Sequence, residues 1–199
     1  MLILASQSPR RAELLKQIGV SFSQCSEDID ETVQPHEIPE KYVRRMAQEK
    51  SRVGYERTEF EKADIEKSAN QHVVLGSDTI VVAQGNILGK PKDQVDGMRM
   101  LNILSDNTHQ VLTAVTVTSA TQQKTVVVET EVCFGPLSTQ QIAWYWQTGE
   151  PQDKAGSYGI QALGGQFVKH IKGSYSAVVG LPLYETRMLL TEFGIMNEC

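Results

Sequence analysis

Hydroxyl and guanidinium groups crowd the start of this chain. The apolar run Met1-Leu2-Ile3-Leu4 is followed by Ala5-Ser6-Gln7-Ser8-Pro9-Arg10-Arg11 and then by an amphipathic segment. That order reads as a buried strand, a tight turn and a helix opening, with Ser8 suited to the N-cap and Pro9 to the first helical position. Free backbone N–H groups at a helix start, hydroxyls and two guanidinium groups make a site for a phosphate or polyphosphate. The bland alternative is a strand–turn–helix whose arginines are solvated.

Carboxylates supply the complementary chemistry. Asp78 follows the apolar run Val73-Val74-Leu75 and lies between Ser77 and Thr79. A carboxylate at the end of a central strand is costly to bury unless it meets a metal, a cation or hydrogen-bond donors. A structural Asp closing a turn is the alternative. Glu27, Asp28, Asp30 and Glu31 form a second acidic cluster. Most such clusters are solvated surface, yet one member paired with Asp78 would suit a magnesium site completed by phosphate oxygens.

Three lysines stand in unusual settings. Lys50 falls on the apolar stripe of its helix, where a lysine must snorkel or meet an anion. Lys90 is held between Gly89 and Pro91. That segment is not a P-loop: it has one residue too few between its glycines, and proline replaces the hydroxyl that would hold magnesium. Lys154 belongs to Asp153-Lys154-Ala-Gly156-Ser-Tyr158-Gly159-Ile-Gln161, whose glycines, charge pair, hydroxyl and amide are the content of a binding loop. A plain turn with a surface ion pair has the same composition. His36, His72, His109 and His170 show no metal-ligand spacing and read as structural or surface residues. Trp144-Tyr145-Trp146 reads as core or subunit interface, and no G-x-S-x-G elbow is present.

These groups need elements to hold them. A helix stripe runs through Leu14, Leu15 and Ile18 and ends at Gly19, and Val20 to Cys25 alternates as a strand. Ser26 to Pro39 reads as a loop, and Tyr42, Val43, Met46, Ala47, Lys50 and Val53 place a helix over 39 to 53. The polar stretch from Gly54 to Gln71 is a solvated helix extension or a surface insertion. His72–Leu75 and Thr79–Val82 read as strand segments separated by Gly76-Ser77-Asp78. Gly85-Asn86 makes a turn, and Met98, Leu101 and Leu104 mark a helix. His109 to Ala120 and Thr125 to Phe134 pair as strands, and Ser138 caps a helix. Short strands around Val168 and Ala177 precede a final helix after Pro182. The pattern is mixed α/β.

Composition narrows the functions available. The chain has 199 residues, 40% hydrophobic and 22% charged, as expected of a globular domain. Its formal net charge of -5 would repel a long polyanion over most of the surface but leaves room for a small anion in a basic cleft. No apolar run could span a bilayer, and no signal-peptide core forms before Arg10 and Arg11. Cys25, Cys133 and Cys199 are odd in number and form no C-x-x-C pair, which points to a reducing, cytoplasmic setting.

The motifs together resemble the Maf family. The resemblance rests on Ala5-Ser-x-Ser-Pro-Arg-Arg11, Asp30-Glu31, Ala47-Gln-Glu-Lys50, Gly76-Ser-Asp-Thr79, Gly89-Lys-Pro91, the 153–161 segment and Val179-Gly-Leu-Pro182. It covers nearly the whole chain, so it implies one Maf-like domain over 1–199. It also implies an elongated mixed sheet with flanking helices, two lobes around a central cleft and a fold shared with inosine triphosphate pyrophosphatases. The implied activity is hydrolysis of a nucleoside triphosphate to the monophosphate and pyrophosphate, with a divalent cation (Mg or Mn) and often as a homodimer.

Asp153, Tyr158 and Gln161 match the branch acting on dTTP and UTP rather than the 7-methyl-GTP branch. Ala162 departs from that branch, which commonly has glycine there, so an added methyl is expected to crowd the specificity residue. On this reading Ser6, Arg10, Arg11, Lys50, Lys90 and Lys154 bind the substrate, and Asp78 is the general base for attack at the α-phosphorus. Glu31 and Asp78 hold the metal, and Arg10, Thr79 and Gln161 occupy the family's specificity positions. The alternatives are a nucleotide-binding regulator of cell division with incidental hydrolysis and a general phosphatase releasing orthophosphate.

Overall fold

The computed structural model describes residues 1–26, 28–63 and 72–197; Glu27, Cys199 and the 64–71 part of the expected insertion lie outside the described residues. The four residues of strand β1 (Leu2–Ala5) are all buried. Such a continuous apolar strand is what a sheet covered on both faces demands. β1 pairs in parallel with β2 (Phe22–Cys25) on one side and with β3 (Val73–Ala83) on the other. Helix α1 (Pro9–Gln17) links β1 to β2, with Pro9 in its first turn. Ser8 is the N-cap by position, but its side chain makes no capping bond.

Helix α2 (Pro39–Ala63) links β2 to β3 and runs ten residues past the expected end at 53. The extension beyond Gly54 is therefore helical at least to Ala63. β3 is also continuous where a break was expected. Gly76, Ser77 and Asp78 stay in the strand because α2 lies against it: a Cβ on Gly76 would sit 2.5 Å from Ser51 N and 2.6 Å from the Ala47 carbonyl oxygen. Ser51 seals the contact: its hydroxyl donates to the Val74 carbonyl (2.8 Å), and its Oγ lies 2.7 Å from the Thr118 hydroxyl.

β3 turns back antiparallel into β4 (Asn86–Leu88). Gln84 and Gly85 both have positive φ (51° and 75°), as a two-residue type I′ hairpin needs. Helix α3 (Gln94–Leu104) starts at Asp93, whose carboxylate accepts from Asp96 N at 2.9 Å. β5 (Thr108–Thr118) and β6 (Gln123–Phe134) follow, then α4 (Thr139–Gln147) with a capping box made by Ser138 and Gln141. β7 (Val168–Lys172) pairs antiparallel with β6.

The segment around Ala177, expected as a strand, is helix α5 (Tyr175–Val179). Ser174 Oγ accepts from Ala177 N at 3.2 Å, a helix cap that a short apolar run does not advertise. Helix α6 (Leu183–Glu192) completes the mixed α/β pattern of helices and a seven-stranded sheet in the order β2-β1-β3-β5-β6-β7, with β4 on β3.

The chain divides into two compact units. The first comprises Met1–Asp78, Thr113–Val127 and Gly180–Cys199, and the second Thr79–Leu112 and Val128–Val179. In the first, Ile3, Ala5 and Val74 form a small core cluster with Cys25 and Tyr55. In the second, Leu101, Leu104, Phe134, Ile142, Tyr145 and Phe167 lie in one larger core. No helix among the described residues is long and apolar enough to cross a membrane.

Candidate active site

The close approach of α2 to β3 in the first unit brings Lys50 to Asp78. Lys50 is only 6% exposed, and its ammonium meets two carboxylates at once: Asp78 Oδ1 at 2.8 Å and Glu31 Oε1 at 2.7 Å. The lysine on the apolar stripe thus meets an anion rather than snorkelling to water. Burial opposes its charge, but the Asp78 carboxylate and the hydrogen bonds to both acids outweigh this and hold the ammonium above its ordinary pKa. The positive charge of Arg11 acts on Lys50 in the opposite sense.

Arg11 belongs to a second cluster in the same unit. Its Nη1 donates to Ser6 Oγ at 3.2 Å and its Nε to the Gly180 carbonyl at 3.0 Å. Ser6 is 2% exposed, and its Oγ also accepts from Ser8 N at 3.2 Å. Ser77 Oγ donates to the same Gly180 carbonyl at 3.1 Å. The end of β1, the start of α1, β3 and the segment before α6 are thereby tied together. Arg10, next to this knot, is half-buried on α1.

The acidic loop resolves into distinct parts. Asp30 Oδ1 accepts from Thr32 N at 2.9 Å, and the hydrogen bonds from Thr32 hold the Asp30 carboxyl below its ordinary range. Asp30 shapes the turn, and Glu31 is the member that reaches Lys50. Asp28 is exposed. Two residues of α2 pin the loop. Tyr42 donates its hydroxyl to the Glu31 carbonyl at 2.9 Å, while Arg45 donates to the Thr32 carbonyl at 3.0 Å and to both Glu37 oxygens at 2.7 Å. Burial, then the Asp78 and Glu31 charges, push the Tyr42 phenol up to about 12. The Arg45 hydrogen bonds bring the Glu37 carboxyl down to about 2. Sequence reasoning missed Arg45 and Glu37 and took Tyr42 only as core. The available signal was Arg45 at i+3 from Tyr42 on the same helix that carries Lys50.

In the second unit, Lys154 Nζ donates to the Glu150 carbonyl at 2.7 Å and to Asp153 Oδ1 at 2.6 Å. Gly156 N donates to the Gly89 carbonyl at 3.1 Å, which brings the Lys90 segment beside the 153–161 segment. Lys90 and Gln161 are exposed, and Thr79 is half-buried in β3. Tyr158 is 6% exposed and anchors its segment in the core, with its hydroxyl 2.9 Å from His109 Nε2. Burial takes the His109 ring down to about 4, so it is neutral at physiological pH. His109 also packs edge-on against Phe134 and Tyr158. Ala162 is exposed, with φ −126° and ψ −138°.

A buried ammonium poised between two carboxylates, beside an arginine–serine anion cradle, is equipped to bind a polyphosphate and activate a nucleophile next to it. A family model described as "Maf-like protein" matches residues 1–193. The dTTP/UTP pyrophosphatase of Pseudoalteromonas atlantica is 57% identical over 199 residues, the full length of both chains. The dTTP/UTP pyrophosphatase of Vibrio vulnificus is 53% identical over 192 residues, 96% of this chain and 98% of that one. The chain belongs to the Maf family. Among solved structures, the Ham1 protein of Staphylococcus aureus is 14% identical over 67% of this chain and 71% of that one, with a TM-score of 0.41, too loose a likeness to carry an argument.

Proposed function

We propose that this protein is a nucleoside triphosphate pyrophosphatase that hydrolyses dTTP and UTP, modified pyrimidine nucleotides included, to the monophosphate and pyrophosphate. The observation that carries the proposal is the Lys50–Asp78–Glu31 cluster in one unit with the Ser6–Arg11 pair. The names of the relatives support the choice of pyrimidine nucleotides.

Arg10, Arg11, Lys50, Lys90 and Lys154 neutralise the triphosphate, and Ser6 donates its hydroxyl to a phosphate oxygen. Asp78 takes a proton from the water that attacks the α-phosphorus. Lys50, held on Asp78 Oδ1 at 2.8 Å, fixes the orientation of that carboxylate until substrate arrives. Pyrophosphate is the leaving group, and the Lys and Arg charges stabilise the negative charge it gathers. Thr79, Arg10 and Gln161 read the base.

Glu31 Oε1 and Asp78 Oδ1 already converge on one cation, the Lys50 ammonium. Two hard carboxylate oxygens fit Mg²⁺ or Mn²⁺ bound together with phosphate oxygens. No group of three or more His, Cys, Asp or Glu side chains among the described residues could cage such an ion alone. Glu31 and Asp78 would hold the metal, which when bound supplies charge neutralisation at the phosphates.

The rest of the proposal follows the family. The two units act as one Maf domain, as a homodimer in the cytoplasm, on free nucleotides rather than nucleic acid. The net charge of -5 and the absence of a membrane-spanning helix among the described residues are compatible with this. Incubation with a nucleotide panel and magnesium, followed by chromatography, tests the reaction. Monophosphate and pyrophosphate are expected from UTP and dTTP; diphosphate and orthophosphate would make it a general phosphatase.

A further inference from the structure

Gln161 lies on a short exposed loop whose two feet are fixed by one phenol and one carboxylate. Tyr145, fully buried on α4, donates its hydroxyl to Glu150 Oε1 at 2.7 Å and accepts from Gly159 N at 3.1 Å. The Glu150 carboxylate also accepts from Gly164 N at 3.0 Å through Oε1 and from Leu163 N at 2.9 Å through Oε2. Both ends of the 159–164 loop are therefore bonded to the same pair. The ends are also pressed together: a Cβ on Gly164 would lie 2.5 Å from Tyr145 Oη and 2.8 Å from the Gly159 carbonyl oxygen. Between the feet Ile160 packs against the core, while Gln161 and Ala162 are exposed.

Glu150 reaches the lysine of the same motif as well. Its carbonyl accepts from Lys154 Nζ at 2.7 Å, and the Lys154 stem packs on Gly159, where a Cβ would lie 2.8 Å from Cε. One residue thus holds the ammonium by its backbone and the Gln161 loop by its side chain. Burial pushes the Glu150 carboxyl up, but the bonds from Tyr145, Gly164 and Leu163 outweigh it and hold the group below its ordinary range. It is a full carboxylate at neutral pH, and charge-assisted bonds of this kind are the strong ones. Burial and the Glu150 bond push the Tyr145 phenol far above its ordinary value, so it remains a donor.

We propose that Tyr145 and Glu150 are positioning residues that hold Gln161 in register with Lys154 and thereby set the preference for a pyrimidine base. The proposal rests on the reading of Gln161 as a base-contacting residue. Neither residue lies in the motifs that carry the family resemblance. A role in packing alone would not single out the base, because the carboxylate can be altered while the Glu150 carbonyl that holds Lys154 stays in place.

The test compares kcat/KM for UTP, GTP and ribose 5-triphosphate, which has no base, in wild type, Tyr145→Phe and Glu150→Gln. Tyr145→Phe removes one hydroxyl and leaves Gly159 N without its acceptor. Glu150→Gln keeps the shape and one acceptor oxygen but sets an amide N–H₂ against a backbone N–H. An interaction of this size is worth about tenfold, so the UTP:GTP preference should fall about tenfold in Tyr145→Phe and several-fold in Glu150→Gln. Turnover of the base-free substrate should change far less. Thermal unfolding reports whether each variant is folded. Equal losses on all three substrates, or an unchanged UTP:GTP ratio in a folded variant, would overturn the proposal.

A second arm repeats Tyr145→Phe in a Gln161→Ala background, where no further fall in preference is expected; an additional fall of the same size would overturn it. Failure of the underlying reading shows separately. Wild type would then have no UTP preference, or Gln161→Ala alone would leave that preference intact.

Discussion

Replacing Lys50 by Met removes one ammonium from between two carboxylates and keeps the length of the apolar stem. Its size follows from burial. Lys50 is 6% exposed and the Asp78 side chain 13%, while the Glu31 side chain is 50% exposed. Removing one partner of a fully buried pair costs about 3–5 kcal/mol, and exposed pairs are worth about 0–1 kcal/mol. The Asp78 limb approaches the first case and the Glu31 limb the second, so Lys50→Met should destabilise by about 1–3 kcal/mol. For a chain of this length that is a fall in Tm of roughly 2–12 °C. Urea unfolding at pH 7 of wild type, Lys50→Met, Asp78→Asn and the double variant then isolates the pair. With Asp78 neutral the missing ammonium no longer orphans a charge, so the double variant should lose less than the sum of the singles, by about 0.5–3 kcal/mol. Additivity within about 0.5 kcal/mol would refute the ion pair as the element that holds Asp78. Activity should not recover with stability, because both charges serve the reaction.

Asp78→Asn alone should lose at least about 10²–10⁴-fold in turnover with the protein still folded; near-normal turnover would move the base to Glu31. Gln161→Glu removes an amide donor and sets a carboxylate against pyrimidine carbonyls, so the ratio of UTP to GTP turnover should fall, and an unchanged ratio would mean that Gln161 does not read the base. Glu37 titrates near 2 in the folded protein, below its unfolded value of about 4.3. Its bond to Arg45 therefore stabilises fully above about pH 4.5 and is lost as pH falls toward 2. Thermal unfolding of Glu37→Gln should lie below wild type at pH 5–7 and converge with it in acid; a constant offset at all pH values would show that Glu37 does not titrate with folding.

The site was legible wherever one residue type violated its local pattern. Lys50 stood in an apolar stripe, and Ser6 and Arg11 stood together at a strand end; the structure gives each a partner. Asp78 was legible as a buried charge but misread as a strand breaker, because the close packing of Gly76 on α2 that keeps β3 intact is a tertiary contact. The helical fate of Ala177 and the length of α2 beyond 53 were ambiguous for a related reason: short apolar runs and polar runs carry little periodicity. Arg45, Glu37 and Glu150 look like ordinary surface charges in sequence. Their roles exist only once the acidic loop is laid along α2 and the 159–164 loop is folded onto Tyr145.

The central claim is water attack at the α-phosphorus by a cluster built on Asp78, and the fate of oxygen-18 tests it most directly. Hydrolysis of UTP or dTTP in H₂¹⁸O with magnesium, read by mass spectrometry of both products, should place one label in the monophosphate and none in the pyrophosphate. Label in the pyrophosphate would put the attack at the β-phosphorus, and label in released orthophosphate would put it at the γ-phosphorus; either result would contradict the account.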